Sequence, residues 1–521
     1  MPPPHLRLPP SPSRPRSALS LLVRSAAEGM KHRLAQPDQE EKTVRACGPL
    51  AERPGGQPNS RPPGIHAAGC AAHHLLHGEG SGALAAVSFQ AAAVERGEAV
   101  GRPRALELSG TWLLSGAMAA AGLLAYAFHI LAARTLTTNE YGQVAAFWAA
   151  LFIVVVVLFR PLEQTTARSI ADRLERGQEG WTVLRSVVHM YAYLVLGVAV
   201  AAALAWNVVT QKLFDGSSFM TAMLAVGIAG YGVQYVGRGV LGGLRRFHAL
   251  TGIHIGDGTV RLLVALPLLA VASKEVAAAA LAAAGIGGAI VPLWRSRAPI
   301  AKLRGGAREE RFHLRAALKF AGPAAVIAGS DQLLVNGAPL LVIAGGGPDA
   351  TRAAAVVFAA TMLVRVPVFV FSGVAGSILP NLTRLNATAD HRRFARTVTR
   401  VCLVFGAATI AMTAAAGLAG PAAMRILYGP DYVMSARDLA LLGFGAGCYL
   451  ACATISQALL AVARAGSGAA AWATAAGLFV LVETLSAGTE LHRVSLALAT
   501  AMAANTLLLA LTFARHVRKG S

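Results

Sequence analysis

The sequence predicts an all-α polytopic membrane protein with about 12 transmembrane helices. Long apolar segments follow one another from Thr111 to Phe513, and short basic stretches fall in every second gap between them. A helix needs roughly 20 mostly apolar residues to cross the hydrocarbon core of a bilayer, which is about 30 Å thick. The segments of that length lie near 111–133, 143–162, 186–210, 220–243, 250–272, 275–294, 316–344, 352–380, 398–418, 438–462, 466–487 and 492–514.

Lysine and arginine are distributed unequally between the two sets of gaps. The gaps after the even-numbered spans, together with the C-terminal tail, hold 21 lysines and arginines, whereas the other gaps hold 5. Cytoplasmic loops of membrane proteins carry the excess of basic residues. The sequence therefore predicts a multi-pass protein of the plasma (inner) membrane with both termini in the cytoplasm.

The largest basic gap divides the predicted spans into six before it and six after it. Because six is an even number, both halves would have the same orientation, as in transporters built from parallel repeats. A weak internal sequence similarity supports a repeat, because span 2 ends near Arg160-Pro161 and span 8 ends near Leu379-Pro380. The predicted domains are a first six-helix lobe over 109–294, a basic cytoplasmic linker over 295–315, a second six-helix lobe over 316–515 and a cytoplasmic tail over 516–521.

Residues 1–108 differ in kind from the rest of the chain. They are rich in Pro, Arg, His and Gly and contain no apolar run long enough to span a bilayer, so a disordered N-terminal extension is predicted. Its composition is typical of a transit peptide, or of an over-extended reading frame whose true start is Met30 or later. Cys70, His73, His74 and His77 have the spacing of metal ligands, but such clusters arise readily in biased sequence, and no metal site is predicted.

Composition also bears on the classes of function. The net charge of +21 lies mostly in short loops between apolar helices, so membrane topology explains it and no nucleic-acid partner is expected. Cys402, Cys448 and Cys452 fall at or inside predicted spans and are expected to be packing residues. The sequence contains no P-loop, no His-Glu-x-x-His and no nucleophile elbow, so neither enzymatic activity nor a cofactor is predicted.

A few ionisable residues lie inside the predicted spans. An ionised side chain at mid-bilayer costs about 2.5–3.5 kcal/mol on insertion scales, and one that remains there usually faces a cavity or a partner. Prolines at six positions within or beside the spans could also act as hinges. The ionisable residues are Arg238, Asp257, Arg261, Asp331, Arg365 and Glu483, and the prolines are Pro161, Pro267, Pro323, Pro339, Pro367 and Pro380.

Spacing suggests partners for these charges and leaves alternatives open. Asp257 and Arg261 are four residues apart, so they share a helix face and could neutralise each other or meet a substrate. Asp331 and Arg365 lie near the middle of adjacent spans and could pair with each other or contact substrate. Arg238 could instead extend to the cytoplasmic surface of the membrane, and Glu483 is close enough to the outer surface to be solvated. Three of these residues, Arg238, Arg261 and Arg365, are arginines, whose guanidinium forks suit phosphate oxygens.

Four short stretches resemble a known family. Ala132–Gly142 is similar to the "ARxLxxxEYG" signature of polysaccharide flippases in the multidrug/oligosaccharidyl-lipid/polysaccharide exporter superfamily, and 238–247, 365–385 and 427–432 resemble further stretches of that group in the same order. The resemblance covers about 110–515. It implies two six-helix lobes around a central cavity that opens alternately to each side, which is a MATE-like fold.

The resemblance also implies a function. The expected protein is a flippase that moves a polyprenyl-pyrophosphate-linked oligosaccharide or a related cell-envelope precursor from the inner to the outer leaflet. Its partners would be the lipid-linked glycan, membrane lipids and envelope polysaccharide synthesis proteins. The candidate substrate-binding residues are Arg238, Arg261, Arg365, Asp331 and Asp257.

Several alternatives remain open at the level of sequence. A lipid II-type flippase is close in chemistry but often has two more helices, which are not found after Phe513. A cation or drug antiporter of the same fold usually needs a carboxylate in the first lobe, yet span 1 has none and Asp257 lies beside Arg261. A membrane glycan polymerase or ligase would be expected to carry a large outer loop, whereas the longest here, near Tyr428–Asp438, is short. The remaining alternative is a membrane scaffold that transports nothing.

Overall fold

The computed structural model describes the chain over 105–306, 314–366, 368, 391–461 and 465–520. Within those ranges the regular elements are helices and none is a β-strand, so the predicted all-α polytopic fold is confirmed. The predicted disorder of 1–108 and the segment around Cys70 fall outside the described residues, apart from the first turn of the first helix, which begins at Ala105.

Twelve helices in the described ranges correspond to the twelve predicted spans. Ten are long and apolar enough to cross a membrane, and an eleventh such span forms if α7 is joined to the short helix after it. The eighth predicted span is described only in its first part. The helices are α1 Ala105–Thr135, α2 Thr138–Glu175, α3 Trp181–Phe214, α4 Ser218–Gly243, α5 Phe247–Ala265, α6 Lys274–Arg295, α7 Leu314–Asn336, α8 350–366, α9 His391–Leu427, α10 Ala436–Ala461, α11 Ala465–Leu485 and α12 Glu490–Gly520.

The seventh span is broken, whereas the sequence predicted a continuous helix over 316–344. α7 ends at Asn336, and the short helix Ala338–Ala344 leaves it at an angle of 66°. Pro339 lies in the first turn of the short helix, where its missing N–H costs nothing, but in a continuous helix its ring would clash with the preceding turn. Gly337 lies between the two segments.

Helix α2 is longer than predicted and starts with a capping box. The Thr137 hydroxyl accepts a hydrogen bond from the backbone of Glu140, and the Glu140 carboxylate accepts one from the Thr137 backbone at 3.0 Å. The helix then runs for 38 residues through Pro161 without a break, which corresponds to about 57 Å. The predicted end at 162 was therefore too early, and Arg160 lies inside the helix rather than at its end.

Two glycines allow α5 and α6 to pack closely. A Cβ added to Gly256 would lie 2.8 Å from the carbonyl oxygen of Gly288, and one added to Gly288 would lie 2.7 Å from the Cα of Asp257. Small residues are typical of helix interfaces in membranes because they let backbones approach. This contact fixes the backbone segment that carries Asp257.

The two predicted halves meet along several helices. In the first half α4 packs on both α2 and α6, and α5 packs on α1 and α6, while in the second half α10 packs on α9 and α12. α7 packs against α2 of the first half, and the Tyr126 hydroxyl of α1 donates to the carbonyl of Met362 in α8 at 2.8 Å. The interface between the halves is therefore lined by α1 and α2 on one side and by α7 and α8 on the other.

The described part of the predicted linker returns to the first half. The buried Leu303 packs against Gly180 between α2 and α3, and the guanidinium carbon of Arg304 lies 4.3 Å from the ring centroid of Trp181. An arginine above an aromatic face is held by cation–π attraction. The linker therefore begins at the end of the bundle that carries the α2–α3 connection, as the alternation of the spans requires.

Candidate functional site

Asp257 and Arg261 form a buried ion pair on α5. Their charged atoms lie 2.6 Å apart, and only 2% of the Arg261 side chain is exposed. The hydroxyl of Tyr231 on α4 bridges them, since it donates to Asp257 at 2.8 Å and accepts from Arg261 at 2.9 Å. The pairing that the spacing predicted is present.

An aromatic ring completes the environment of Arg261. Its guanidinium carbon lies 5.0 Å from the ring centroid of Trp148 on α2. A buried charge is tolerated where a partner charge and hydrogen bonds replace water. Arg261 is thus neutralised within the first half of the bundle.

Arg238 is also paired, with a residue that the sequence reasoning missed. Its guanidinium lies 3.1 Å from the carboxylate of Glu163 on α2 and 3.7 Å above the ring of Tyr235. The span predicted over 143–162 ends one residue before Glu163, so the sequence prediction leaves Glu163 outside the membrane helix. The signal that could have found it is the continuation of α2, in which Glu163 and Arg160 belong to the same helix.

Asp331 and Arg365 do not form a direct ion pair in the described part of the chain. The Arg365 guanidinium contacts the Asn336 amide oxygen at 3.5 Å, while the buried Asp331 carboxylate accepts from the amide of Gln332 at 3.2 Å. The electrostatic neighbours of Asp331 include both Arg365 and Arg160. Two arginines therefore act on one carboxylate.

This group, which we call the central cluster, consists of Arg160 on α2, Asp331 on α7 and Arg365 on α8. It lies where α2 of the first half meets α7 of the second half. Asp331 is 2% exposed and Arg160 is 8% exposed, so bulk water screens the cluster poorly. Two of the three side chains in the central cluster are arginines, and the third is a carboxylate.

Two further residues have surroundings that the sequence did not predict. His129 on α1 is fully buried, and its ring lies 4.5 Å from that of Trp148 and 4.8 Å from that of Phe358 on α8, so an aromatic contact joins the halves. Glu483, which was expected to be solvated, is instead 2% exposed and lies 3.5 Å from Arg493. That expectation was wrong because α12 supplies a cation beside the end of α11.

The cysteine prediction holds for the residues described. Cys448 and Cys452 are buried, and the Cys452 sulfur lies 3.1 Å from the Thr506 hydroxyl. Among the described residues no group of three or more His, Cys, Asp or Glu side chains could hold a metal ion.

Comparison with known proteins supports the fold. A MATE family transporter of the MOP superfamily in an inward-facing conformation matches with a TM-score of 0.59, at 13% identity over 77% of this chain and 95% of that one. A eukaryotic MATE transporter gives 0.56, at 14% identity over 79% and 98%. The lipid II flippase MurJ in an inward closed conformation gives 0.57, at 13% identity over 75% and 85%.

Sequence comparison finds relatives that are more similar in sequence than these structures, and no family model matches the chain. An uncharacterised protein of Mycobacterium bovis is 25% identical over 414 residues, which is 76% of this chain and 90% of that protein. An uncharacterised protein of Mycobacterium tuberculosis is 26% identical over 365 residues, which is 69% and 79% respectively.

The fold and the comparisons together define the class of protein. The chain is an all-helical, multi-pass membrane protein. Its fold is the MATE-like fold, and the solved structures that share it are transporters and a flippase rather than enzymes.

Proposed function

We propose that the chain is a flippase that moves a polyprenyl-pyrophosphate-linked oligosaccharide or a related cell-envelope precursor from the inner to the outer leaflet by alternating access. The observation that supports the proposal is the central cluster, in which two arginines accompany one carboxylate where α2 packs on α7. A lipid pyrophosphate is a compact anion, and arginine binds its oxygens in bidentate fashion. The cluster would hold the head group while the polyprenyl tail stays in the lipid.

The other candidate residues have a second role in this proposal. Arg261 and Arg238 are each held by a carboxylate at 2.6 Å and 3.1 Å, so a phosphate would compete with Asp257 or Glu163 for them. Among the described residues, Arg365 has no carboxylate within ion-pair distance, and it is proposed as the main head-group ligand. Asp331 would limit the affinity so that the head group can leave.

The Asp257–Arg261 ion pair also bears on the alternative that the protein is a cation or drug antiporter. A coupling carboxylate has to change its protonation or bind a cation during transport. Asp257 is committed to Arg261 and Tyr231, and the described side chains of α1, from Gly116 to Thr135, include no acidic residue. These contacts favour an anionic substrate over cation exchange. The proposed location remains the plasma membrane, with both termini in the cytoplasm.

A reconstitution experiment tests the function. The full chain would be placed in liposomes with a fluorescent polyprenyl-pyrophosphoryl sugar, and an impermeant quencher would report the arrival of probe in the opposite leaflet. Translocation above protein-free liposomes is expected, and a matched polyprenyl sugar with a neutral linkage should not be moved. Equal transport of both probes would contradict an anion-selective site, and transport of neither would contradict the proposal.

The membrane potential should accelerate this transport. With the cytoplasmic side negative, a potential of 100 mV contributes about 2.3 kcal/mol for each charge that moves fully outward, so a dianion would gain about 4–5 kcal/mol. A valinomycin-induced potassium diffusion potential of either sign would be imposed on the same liposomes. The rate should rise with the cytoplasmic side negative and fall with the opposite sign, whereas rates independent of both would contradict net movement of negative charge.

A further inference from the structure

The connection between α1 and α2 meets the end of α9, nearly 300 residues later in the chain. Arg134 donates from Nε to the carbonyl oxygen of Leu427 at 2.9 Å, and its Nη2 donates to the carbonyl of Ile426. Leu427 is the last residue of α9. The last carbonyls of a helix have no partner within it and carry the negative end of the helix dipole, so Arg134 caps α9 from the other half.

A reciprocal contact runs in the opposite direction. Tyr432, in the connection between α9 and α10, donates its hydroxyl to the carbonyl of Ala133 at 3.4 Å, close to the end of α1. Its ring lies 5.8 Å from that of Tyr141 and 5.8 Å from that of Tyr428, at angles typical of aromatic pairs. Each half thus caps a helix of the other, and buried tyrosines pack behind the caps.

Gly142 brings the backbones of the two halves together beside these caps. A Cβ added at Gly142 in α2 would collide with the carbonyl oxygen of Thr351 in α8 and lie 2.8 Å from its carbonyl carbon. An exposed ion pair, Arg352 with Asp431 at 3.9 Å, lies at the rim and contributes little because solvent screens it. The close approach therefore depends on the absence of a side chain at one position.

We propose that Arg134, Tyr432 and Gly142 form a latch that closes this end of the bundle and that must release whenever a transport cycle opens it. The inference rests on the proposed function, because only alternating access requires the end to open. The positive-inside count predicts that this end faces outward. Release is feasible because the carbonyls of Ile426, Leu427 and Ala133 lie near the ends of helices, where water can replace the donors.

The latch can be tested by the distance between the halves. Spin labels would be attached to cysteines introduced at the exposed Asn139 and Ala436, in a full-length chain whose native cysteines are replaced by alanine. Double electron–electron resonance in lipid nanodiscs without substrate then reports the closed and open populations. A short distance should dominate in the otherwise unchanged chain.

Weakening the latch should shift this distribution. Arg134→Ala removes both capping hydrogen bonds and is expected to raise the ratio of long to short distances roughly tenfold. Gly142→Ala should have at least the same effect, because its Cβ forces α2 and α8 apart. The matched controls are Gly197→Ala, where an added Cβ meets no atom within 4 Å, and Lys212→Ala, which removes an exposed cation from the same predicted side.

The outcomes separate the latch from the transport function. Unchanged distances in Arg134→Ala would overturn the latch, even if Gly142→Ala fails to fold and even if the wild type transports the glycolipid probe. Longer distances in Arg134→Ala, with both controls unchanged, would support it. If those distances lengthen while the wild type moves no probe in the liposome assay, the latch contact stands and the proposed function fails.

Discussion

Replacing Arg365 with alanine is expected to reduce translocation of the pyrophosphoryl probe by about 10- to 100-fold. A hydrogen bond to a charged group contributes about 1.5–3 kcal/mol, and Arg365 is the proposed main ligand of the head group. If Arg365 binds the head group before it crosses, the variant should need a higher concentration of probe to reach its half-maximal rate. If Arg365 binds the head group only while it crosses, the variant should have a lower maximal rate. Initial rates measured over a range of probe densities in the liposomes separate the two.

Companion variants make this result specific. Arg365→Lys keeps a point charge but loses the planar fork, so it should retain part of the activity. Asp331→Asn should act in the opposite direction on affinity, because it removes the negative charge from the central cluster. Arg185→Ala removes an exposed arginine of α3 and should leave transport unchanged. If Arg365→Ala inserts normally and transports at the wild-type rate, the cluster is not the head-group site.

The second large effect is expected for the buried pair on α5. Arg261→Met should lower the free energy of unfolding by about 3–5 kcal/mol, because it leaves the Asp257 carboxylate without its cation in a buried site. Thermal unfolding in detergent, followed by the loss of monodisperse protein, would show a markedly lower midpoint. The double variant Asp257→Leu/Arg261→Met leaves no unpaired charge and should recover most of the loss.

The chain contains a matched control for this experiment. Asp172 on α2 and Arg176 directly after it have the same residue types and the same spacing of four, but their side chains are 44% and 58% exposed. Asp172→Ala should therefore change the free energy of unfolding by less than about 1 kcal/mol. Equal effects of Arg261→Met and Asp172→Ala would mean that burial does not strengthen the α5 pair.

Much of the fold could be predicted because the bilayer restricts the possible structures. Backbone groups have no water partners in hydrocarbon, so an apolar run of sufficient length must be a helix. The correspondence between α1–α12 and the predicted spans follows from this constraint. The exceptions are local: the seventh span bends by 66° after Asn336, and α2 continues through Pro161 to Glu175.

The site was predictable only where partners are close in sequence. The Asp257–Arg261 pair follows from a spacing of four on one helix, whereas Tyr231 and Trp148 reach it from α4 and α2. Asp331 and Arg365, for which the sequence left a mutual pair or substrate contact open, hydrogen-bond to Gln332 and Asn336 of α7, two uncharged residues that no charge pattern marks.

The sequence by itself determined the helices, their number and their alternation, and it singled out the charges that the membrane makes costly. Only the tertiary structure decided which charges neutralise one another: Arg238 is paired with Glu163, while the Arg365 guanidinium contacts the Asn336 amide oxygen. It also brought Arg134 to the end of α9. The physical reason is that hydrophobic length is a property of one segment, whereas electrostatic pairing depends on which helix faces pack together, and packing is decided by contacts between distant segments.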